Sequence, residues 1–213
     1  MVSSIKALSY VNLITNDIWL KGVNMLIHNI ILENSEIPDF NESDVKYFEE
    51  DGTTNSYIIY NNKNYRVRAE MLVFNDEGKV FAELSDKPNI TGTRYRIPGG
   101  SVEPGKTFMS QAIREVKEEA RFNVKGVKYT GIHYMDEFNK DTMPRWMKEK
   151  LAKHPIQYNG FISFVYIGKY AGKFTGFIAE EDKDDMYKKG RWYDVEDVPF
   201  REEHLNAIKM MNR

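Results

Sequence analysis

The sequence predicts an α/β fold, and three observations support this class. Residues 57–60 and 65–74 are rich in aromatic and β-branched side chains, and the turn-forming run NNKN separates them at 61–64. Residues 107–120 contain no proline or glycine and consist mostly of good helix formers. A closing helix is predicted at residues 202–211. Strands therefore precede and follow at least one long helix.

The remaining strands follow from the same signals. An Asn-Asp-Glu-Gly turn at 75–78 separates the second strand from the next one. Residues 135–156 are a polar insertion that we expect to bear a helix near the entrance of a site. The further strands are predicted at residues 80–84, 95–97, 123–134, 158–170 and 191–194.

The first 62 residues predict an N-terminal extension, and residues 63–213 the main domain. Apolar residues recur at helical steps between Trp19 and Ile31, which predicts an amphipathic helix that packs on the main domain or on a second copy of the chain. The second alternative makes a homodimer possible. Residues 33–55 are polar and interrupted by turn formers, so we interpret them as a linker or an irregular cover. His28 is a lone histidine, for which packing is the simpler interpretation.

Composition limits the class of protein. Of 213 residues, 41% are hydrophobic and 29% are charged, which is typical of a soluble globular protein. A formal net charge of −2 argues against nucleic acid as a partner. There is no cysteine, which excludes disulfides, thiolate metal sites and a cysteine nucleophile. No targeting segment and no run of 18 apolar residues is found, so we expect a cytoplasmic location and no membrane partner.

The predicted helix at 107–120 carries an unusual cluster of acids. Glu115, Glu118 and Glu119 are spaced i, i+3 and i+4, which would place their carboxylates on one face. Arg114, one turn before Glu118, offsets only part of the repulsion. Mg²⁺ or Mn²⁺ would neutralise the rest, because both ions prefer oxygen ligands. The alternative is a solvated acidic face.

Residues 100–122 resemble the signature of the Nudix hydrolases, G-x5-E-x7-R-E-U-x-E-E-x-G-U, where U is aliphatic. Two positions depart from the signature: Lys106 replaces its first glutamate and Arg121 replaces its late glycine. The matching residues are Gly100, Arg114, Glu115, Val116, Glu118 and Glu119.

This resemblance implies a Nudix-type α/β/α sandwich with a mixed β-sheet, here with an N-terminal extension. It implies that Glu115, Glu118 and Glu119 bind Mg²⁺ or Mn²⁺ together with the main-chain carbonyl of Gly99. Arg114 would orient a glutamate through a charge-assisted hydrogen bond. The resemblance thus gives Glu119, Glu115 and Arg114 as catalytic residues. The general base would be Glu119 or Glu115, in preference to Glu181 in the acidic run that follows residue 179.

Four further residues are candidates for substrate binding. Arg68 and Arg96 would contact phosphate, and Tyr95 would stack on a base, although each also suits a purely structural role. Lys106 would either repel a nearby cation or contact the substrate's phosphates. The other departure is structural: we expect Asn123, rather than Arg121, to end the helix in the left-handed conformation.

Two functions remain open from the sequence. The first is a metal-dependent pyrophosphohydrolase that cleaves a nucleoside diphosphate linked to another moiety, such as ADP-ribose, a nucleotide sugar or a dinucleotide. The second is a catalytically weak or inactive module that binds such a nucleotide. The complete Arg-Glu-Val-Lys-Glu-Glu run favours the enzyme, and Lys106 favours the module.

Overall fold

The computed structural model describes residues 38–50, 53–88, 92–138, 143, 145–154, 156–178 and 186–211. The strands in these ranges are β1 (Lys46–Glu50), β2 (Thr53–Tyr60), β3 (Lys63–Phe74), β4 (Val80–Leu84), β5 (Tyr95–Arg96), β6 (Gly99–Ser101), β7 (Phe122–Glu137), β8 (Tyr158–Lys173) and β9 (Arg191–Tyr193). The helices are α1 (Phe108–Glu115), which continues as a π-helical segment (Val116–Ala120), α2 (Arg145–Lys153), α3 (Met186–Lys189) and α4 (Glu202–Met211). These bounds confirm the predicted main-domain strands and the closing helix.

Strand β3 is the centre of a mixed sheet. It pairs in antiparallel fashion with β2, β4 and β6, and in parallel fashion with β8. Strand β7 extends the sheet beyond β8, and β9 pairs with β4. The two long strands β3 and β8 lie side by side over most of their length, with Arg68 opposite Ser163 and Glu70 opposite Val165.

Side chains of β3 alternate between two hydrophobic cores, one on each face of the sheet. Val67, Ala69 and Met71 point to the face that α1 covers. Leu72 and Phe74 belong to the core on the other face, together with side chains of α4. Strand residues with period-two alternation can serve two cores only when helices cover both faces. The arrangement confirms the predicted α/β/α sandwich.

Apolar residues at three- and four-residue steps predict one stripe along helix α1 and its π-helical end: Met109, Ala112, Ile113, Val116 and Ala120. Thr107 is the N-cap, and its side chain accepts a hydrogen bond from the Ser110 amide. The ring of Phe108 stacks on Phe164 at 4.1 Å and is buried, whereas Met109 is 39% exposed. Met109 is thus the exposed member of this stripe, and Phe108 supplies the buried side chain of the first turn.

The end of this helix also differs from the prediction. Arg121 itself adopts the left-handed conformation, with φ 60° and ψ 38°, so Asn123 is not the capping residue. A left-handed conformation is costly for a residue with a Cβ atom. The Arg121 guanidinium lies 5.3 Å from the centre of the Tyr187 ring, a cation–π contact that helps to offset this cost.

The polar run before residue 56 is more ordered than its composition indicates. We interpreted residues 33–55 as a linker or irregular cover, but residues 46–50 and 53–55 belong to β1 and β2 of the main sheet. Residues 46–50 pair with residues 53–57 in antiparallel fashion, and β2 then pairs with β3 through residues 57–60, which supplies order that polar composition does not predict. The stripe between Trp19 and Ile31, and His28 within it, lie outside the described residues. The boundary at residue 62 and the homodimer stay predictions.

The insertion after β7 contains helix α2, as expected. Strand β7 ends at Glu137, three residues after its predicted end at 134. The longest α-helix in the described part of the chain is α4, with 10 residues. None of the described helices is long and apolar enough to cross a membrane.

Candidate active site

A double-glycine bend brings β6 close to both β3 and α1. Gly99 and Gly100 pair with Glu70 and Ala69 of β3. A Cβ atom on Gly99 would lie 2.9 Å from the Cα atom of Glu70, and one on Gly100 would overlap the Glu115 carboxylate. The backbone of β3 cannot yield, so only glycine fits at position 99, and at position 100 a side chain would displace the Glu115 carboxylate. The bend therefore packs the backbone against the side chains that were predicted to bind metal.

The three predicted metal ligands have three different protein partners. Glu115 Oε1 accepts a hydrogen bond of 2.7 Å from Gln111, and Glu118 Oε1 accepts one of 2.5 Å from Arg114 Nε. Glu119 Oε2 accepts a hydrogen bond of 2.9 Å from the Gly99 amide. The chain winds as a π-helix from Val116, so Glu118 and Glu119 do not continue the α-helical spacing that starts at Glu115. Such π segments are frequent at functional sites.

Arg114 pairs with two acidic residues, Glu103 and Glu118, whereas the resemblance implied a bond with one glutamate. In addition to its bond with Glu118, it forms an ion pair with Glu103 in the loop before α1. Both contacts raise the pKa of Arg114 against the opposing effect of burial. Arg114 thus fixes the Glu118 carboxylate relative to the loop that follows the glycine bend.

Glu115 carries its charge in an unfavourable environment. Burial raises the pKa of this carboxyl above its usual value, and the negative charge of Glu118 raises it further, while the hydrogen bond from Gln111 lowers it. A raised carboxyl pKa means that the ionised form destabilises the folded protein at neutral pH. A divalent cation at this position would remove the penalty.

Glu115→Gln is therefore expected to raise the melting temperature of the metal-free protein at a pH of about 7.5. Glutamine keeps the size of the side chain and can still bond Gln111, but it has no charge to desolvate. The difference should shrink as the pH approaches the ordinary carboxyl pKa of 4.5, because Glu115 of the native protein then becomes neutral. Thermal unfolding in chelator measures both effects. The exposed Glu77→Gln is the control, and a lower melting temperature for Glu115→Gln at neutral pH would contradict this description of Glu115.

The Gly99 carbonyl, also a predicted metal ligand, accepts a hydrogen bond of 3.0 Å from Arg68 Nη2. A carbonyl oxygen has two lone pairs, so this bond leaves one for a cation. Arg68 lies on β3 with its guanidinium 3.6 Å from Glu70 and 5.1 Å from the centre of the Phe161 ring. The structure therefore places a predicted substrate-binding residue directly beside a predicted metal ligand.

The donor atoms fit a hard divalent cation by their chemistry, since they are carboxylate and carbonyl oxygens. Their arrangement is not that of a closed metal cage. Among the residues that the structure describes, no three acidic or histidine side chains are grouped closely enough to hold a metal ion. Binding an ion between Glu115, Glu118 and Glu119 would require these side chains to turn from their present partners.

A pocket of about 220 Å³ lies beside Gly99 on the face of the sheet that α4 covers. Half of its twelve lining residues are charged, three of them arginines and three of them acids. A site of this kind suits a polar, charged ligand rather than an apolar one. The charged lining residues are Arg68, Glu70, Arg96, Glu119, Asp136 and Arg201.

The structure brings only some of the predicted residues to this pocket. Gly99, Glu119, Arg68, Arg96 and Tyr95 line it. Glu115, Glu118 and Arg114 belong to the adjoining helix, with Glu115 behind the glycine bend. Lys106 lies in an exposed turn before α1 and is not part of the pocket lining. Glu181 lies outside the described residues.

The two predicted contacts on β5 have different environments. Arg96 pairs with Glu83 at 3.0 Å and with Glu119 at 3.5 Å, so its guanidinium lies at the junction of the pocket and the glutamate helix. Tyr95 is 4% exposed, and its ring packs edge-on against Phe200 and His204. Stacking of Tyr95 on a base would require its displacement, so the structure favours a structural role for this residue.

Several pocket residues escaped the sequence analysis. Glu70 is a buried acid of β3, and its spacing of two residues from Arg68 indicates only that the two side chains share a face of the strand. His204 is 2% exposed on α4 and bonds Glu70. Arg201 pairs with Asp136 at 2.9 Å and lies over the Tyr134 ring at 4.3 Å. These contacts join residues more than 60 positions apart, which no local pattern reveals.

The fold, the glycine bend and the glutamate helix agree with a comparison against protein families. The model of the NUDIX domain matches residues 64–212. The chain therefore belongs to the Nudix hydrolases, which act on phosphoric anhydride bonds and generally use divalent metal ions. A search of curated proteins gives no match.

Three solved structures to which the chain is similar share little sequence identity with it. A NUDIX hydrolase from Nitrosomonas europaea is 15% identical with a TM-score of 0.45, and the match covers 70% of this chain and 88% of that one. The dihydroneopterin triphosphate pyrophosphohydrolase of E. coli is 15% identical with a TM-score of 0.45, covering 70% and 99%. An ADP-ribose pyrophosphatase from Streptococcus suis is 13% identical with a TM-score of 0.40, covering 70% and 92%.

Proposed function

We propose that this protein is a metal-dependent pyrophosphohydrolase that cleaves a nucleoside diphosphate linked to another moiety, such as ADP-ribose or a nucleotide sugar. The observation that carries this proposal is the position of Glu119. Its carboxylate is held by the Gly99 amide, faces a pocket with three arginines, and belongs to the helix that bears the Nudix signature. An acidic helix and a cationic pocket thus meet at one carboxylate.

The arginines of the pocket would bind the phosphate oxygens of the substrate. Arg68 and Arg96 lie on either side of the Gly99 and Glu119 contact, and Arg201 lines the pocket as well. Guanidinium groups match phosphate in geometry and keep their charge at any physiological pH. Among the described residues, the buried Nε atom of Arg201 has no hydrogen-bond partner.

Cleavage requires a water molecule to attack one phosphorus while the bridging oxygen leaves. Bound Mg²⁺ or Mn²⁺ would shield the phosphate charges and lower the pKa of the water. Glu115, Glu118, Glu119 and the Gly99 carbonyl would hold the cation, and Arg114 would fix Glu118. Glu119 is our choice for the group that accepts the proton of the water, because it alone of the three glutamates lines the pocket.

Hydrolysis of a nucleotide panel tests this proposal. With Mg²⁺ or Mn²⁺ present, we expect two phosphate-bearing products from ADP-ribose, nucleotide sugars or dinucleotides, and much less turnover of nucleoside triphosphates. Chromatography of the products, with and without chelator, measures both the activity and its dependence on metal. Products in ¹⁸O-water identify the phosphorus that is attacked.

The alternative is a nucleotide-binding module, and Lys106 is the observation that favours it, because an ammonium replaces a carboxylate in the loop before the glutamate helix. Binding of ADP-ribose without turnover of any nucleotide in the panel would select the module. Turnover that chelator does not reduce would contradict the assigned role of the glutamates.

A further inference from the structure

A chain of buried hydrogen bonds connects the start of α4 to β3. The backbone amide of Arg201 donates to the Tyr95 hydroxyl at 3.0 Å, and this hydroxyl contacts His204 Nδ1 at 2.7 Å. His204 Nε2 contacts Glu70 Oε2 at 3.2 Å, and Glu70 lies 3.6 Å from Arg68. The chain ends at the Gly99 carbonyl, which Arg68 bonds.

The direction of these bonds follows from Glu70, because a carboxylate can only accept hydrogen bonds. His204 Nε2 therefore carries a proton and donates to Glu70. In the neutral imidazole Nδ1 then accepts the proton of the Tyr95 hydroxyl, whose oxygen accepts the Arg201 amide. The donors thus run from the Arg201 amide through Tyr95 and His204 to the Glu70 carboxylate.

Glu70 remains charged although it is buried. Burial would raise the pKa of this carboxyl, but the hydrogen bond from His204 and the charge of Arg68 hold it well below its usual value. Tyr134 donates to Oε2 at 2.5 Å, and Ser163 donates to Oε1 at 3.2 Å. Four groups thus fix the carboxylate, and Arg68 is the one among them that reaches Gly99.

We propose that Glu70 and His204 are positioning residues that hold the Arg68 guanidinium in the lining of the pocket as an anion-binding group. This inference rests on the proposed function insofar as the anion is the diphosphate of the substrate. A long arginine side chain has many rotamers, and fixing one of them before a ligand arrives lowers the entropic cost of binding. Neither positioning residue needs to touch the substrate.

Binding of inorganic pyrophosphate, measured by titration calorimetry on the full chain, tests the inference without relying on turnover. Glu70→Gln keeps the size of the side chain and an acceptor for Tyr134, but it removes the charge that pairs with Arg68. We expect the dissociation constant to rise about ten-fold or more, as it should for Arg68→Ala. In the double variant the two effects should not add, because Glu70 acts through Arg68.

His204 provides a matched pair of variants. In His204→Gln the side-chain amide can replace the Nε2 donor, so affinity for pyrophosphate should return towards the native value. His204→Leu has no donor, and its affinity should fall as in Glu70→Gln. A merely structural role would lower the stability of both variants without separating them in affinity.

If Glu70→Gln does not fold, Tyr134→Phe removes one hydrogen bond to the Glu70 carboxylate while keeping the ring. The affinity of Tyr134→Phe for pyrophosphate should fall several-fold relative to the native protein, whereas Tyr134→Phe added to Arg68→Ala should cause no further loss. Additive losses in the double variants, or no pyrophosphate binding by the native protein, would overturn the inference. Coupled binding with no hydrolysis in the nucleotide panel would support the inference and reject the proposed function. Hydrolysis in the nucleotide panel together with additive losses of pyrophosphate affinity would support the proposed function and reject this inference.

Discussion

Glu119→Gln is expected to lower kcat for the best substrate of the nucleotide panel by about 10²–10³-fold. The carboxylate lies where the Gly99 amide, Arg96 and the pocket meet, and it is the only one of the signature glutamates in the pocket lining. Glutamine preserves the acceptor for the Gly99 amide but removes the charge that would hold a cation or accept a proton. The ion pair with Arg96 is long and partly exposed, so its loss should cost at most about 1 kcal/mol of stability.

Glu83→Gln is the matched control for this variant. Glu83 is the other carboxylate that pairs with Arg96, at 3.0 Å, but it does not line the pocket. If Glu119 acted only by orienting Arg96, the two variants would lose similar activity. Steady-state kinetics should instead show near-native kcat for Glu83→Gln. Equal losses, or native activity in Glu119→Gln, would contradict the assigned role.

Gly160→Ala is expected to destabilise the protein by about 3 kcal/mol, at the upper end of the range for overpacking. Gly160 lies on β8 opposite Glu137 of β7, and an added Cβ would overlap the backbone carbonyl oxygen of Asp136. Backbone in a paired strand cannot move away as a side chain can. Since Asp136 pairs with Arg201 in the pocket, the shift should also weaken pyrophosphate binding.

Gly168→Ala, on the same strand, is the control. Its nearest obstacle is the Met71 sulfur at 2.9 Å, the end of a flexible side chain, and the next atoms lie at 3.4 and 3.5 Å. We expect a loss of about 1 kcal/mol. Urea unfolding of both variants measures the difference, and equal midpoints would show that the β7–β8 contact at Gly160 is looser than described.

Much of the fold was predictable because its signals are local. Strand composition on both sides of the NNKN turn, and the absence of helix breakers in α1, depend on neighbouring residues only. Strands were missed at residues 46–50 and 53–55 because these residues are ordered by pairing with each other, and through the rest of β2 with β3, rather than by their own composition. The left-handed Arg121 was missed although the signature has glycine at this position, because a residue with a Cβ atom disfavours that conformation.

The candidate site divides in the same way. The glutamates and glycines of the signature, with Arg68 and Arg96, were identified from spacing and resemblance. Glu70, His204 and Arg201 were not, because a single acid in a strand and a single histidine on a helix carry no local pattern. What gives them importance is the register of β3 with β6 and the packing of α4 on the sheet, which bring distant positions to one pocket.

The most direct test of the cation site is anomalous diffraction from crystals soaked in Mn²⁺, with Glu119→Gln crystals treated in the same way. In the native protein we expect manganese density between Glu115, Glu118, Glu119 and the Gly99 carbonyl, after the glutamates have turned from their present partners. That density should be much weaker in the variant. Manganese bound only elsewhere, with the three glutamates keeping the contacts described above, would contradict the account.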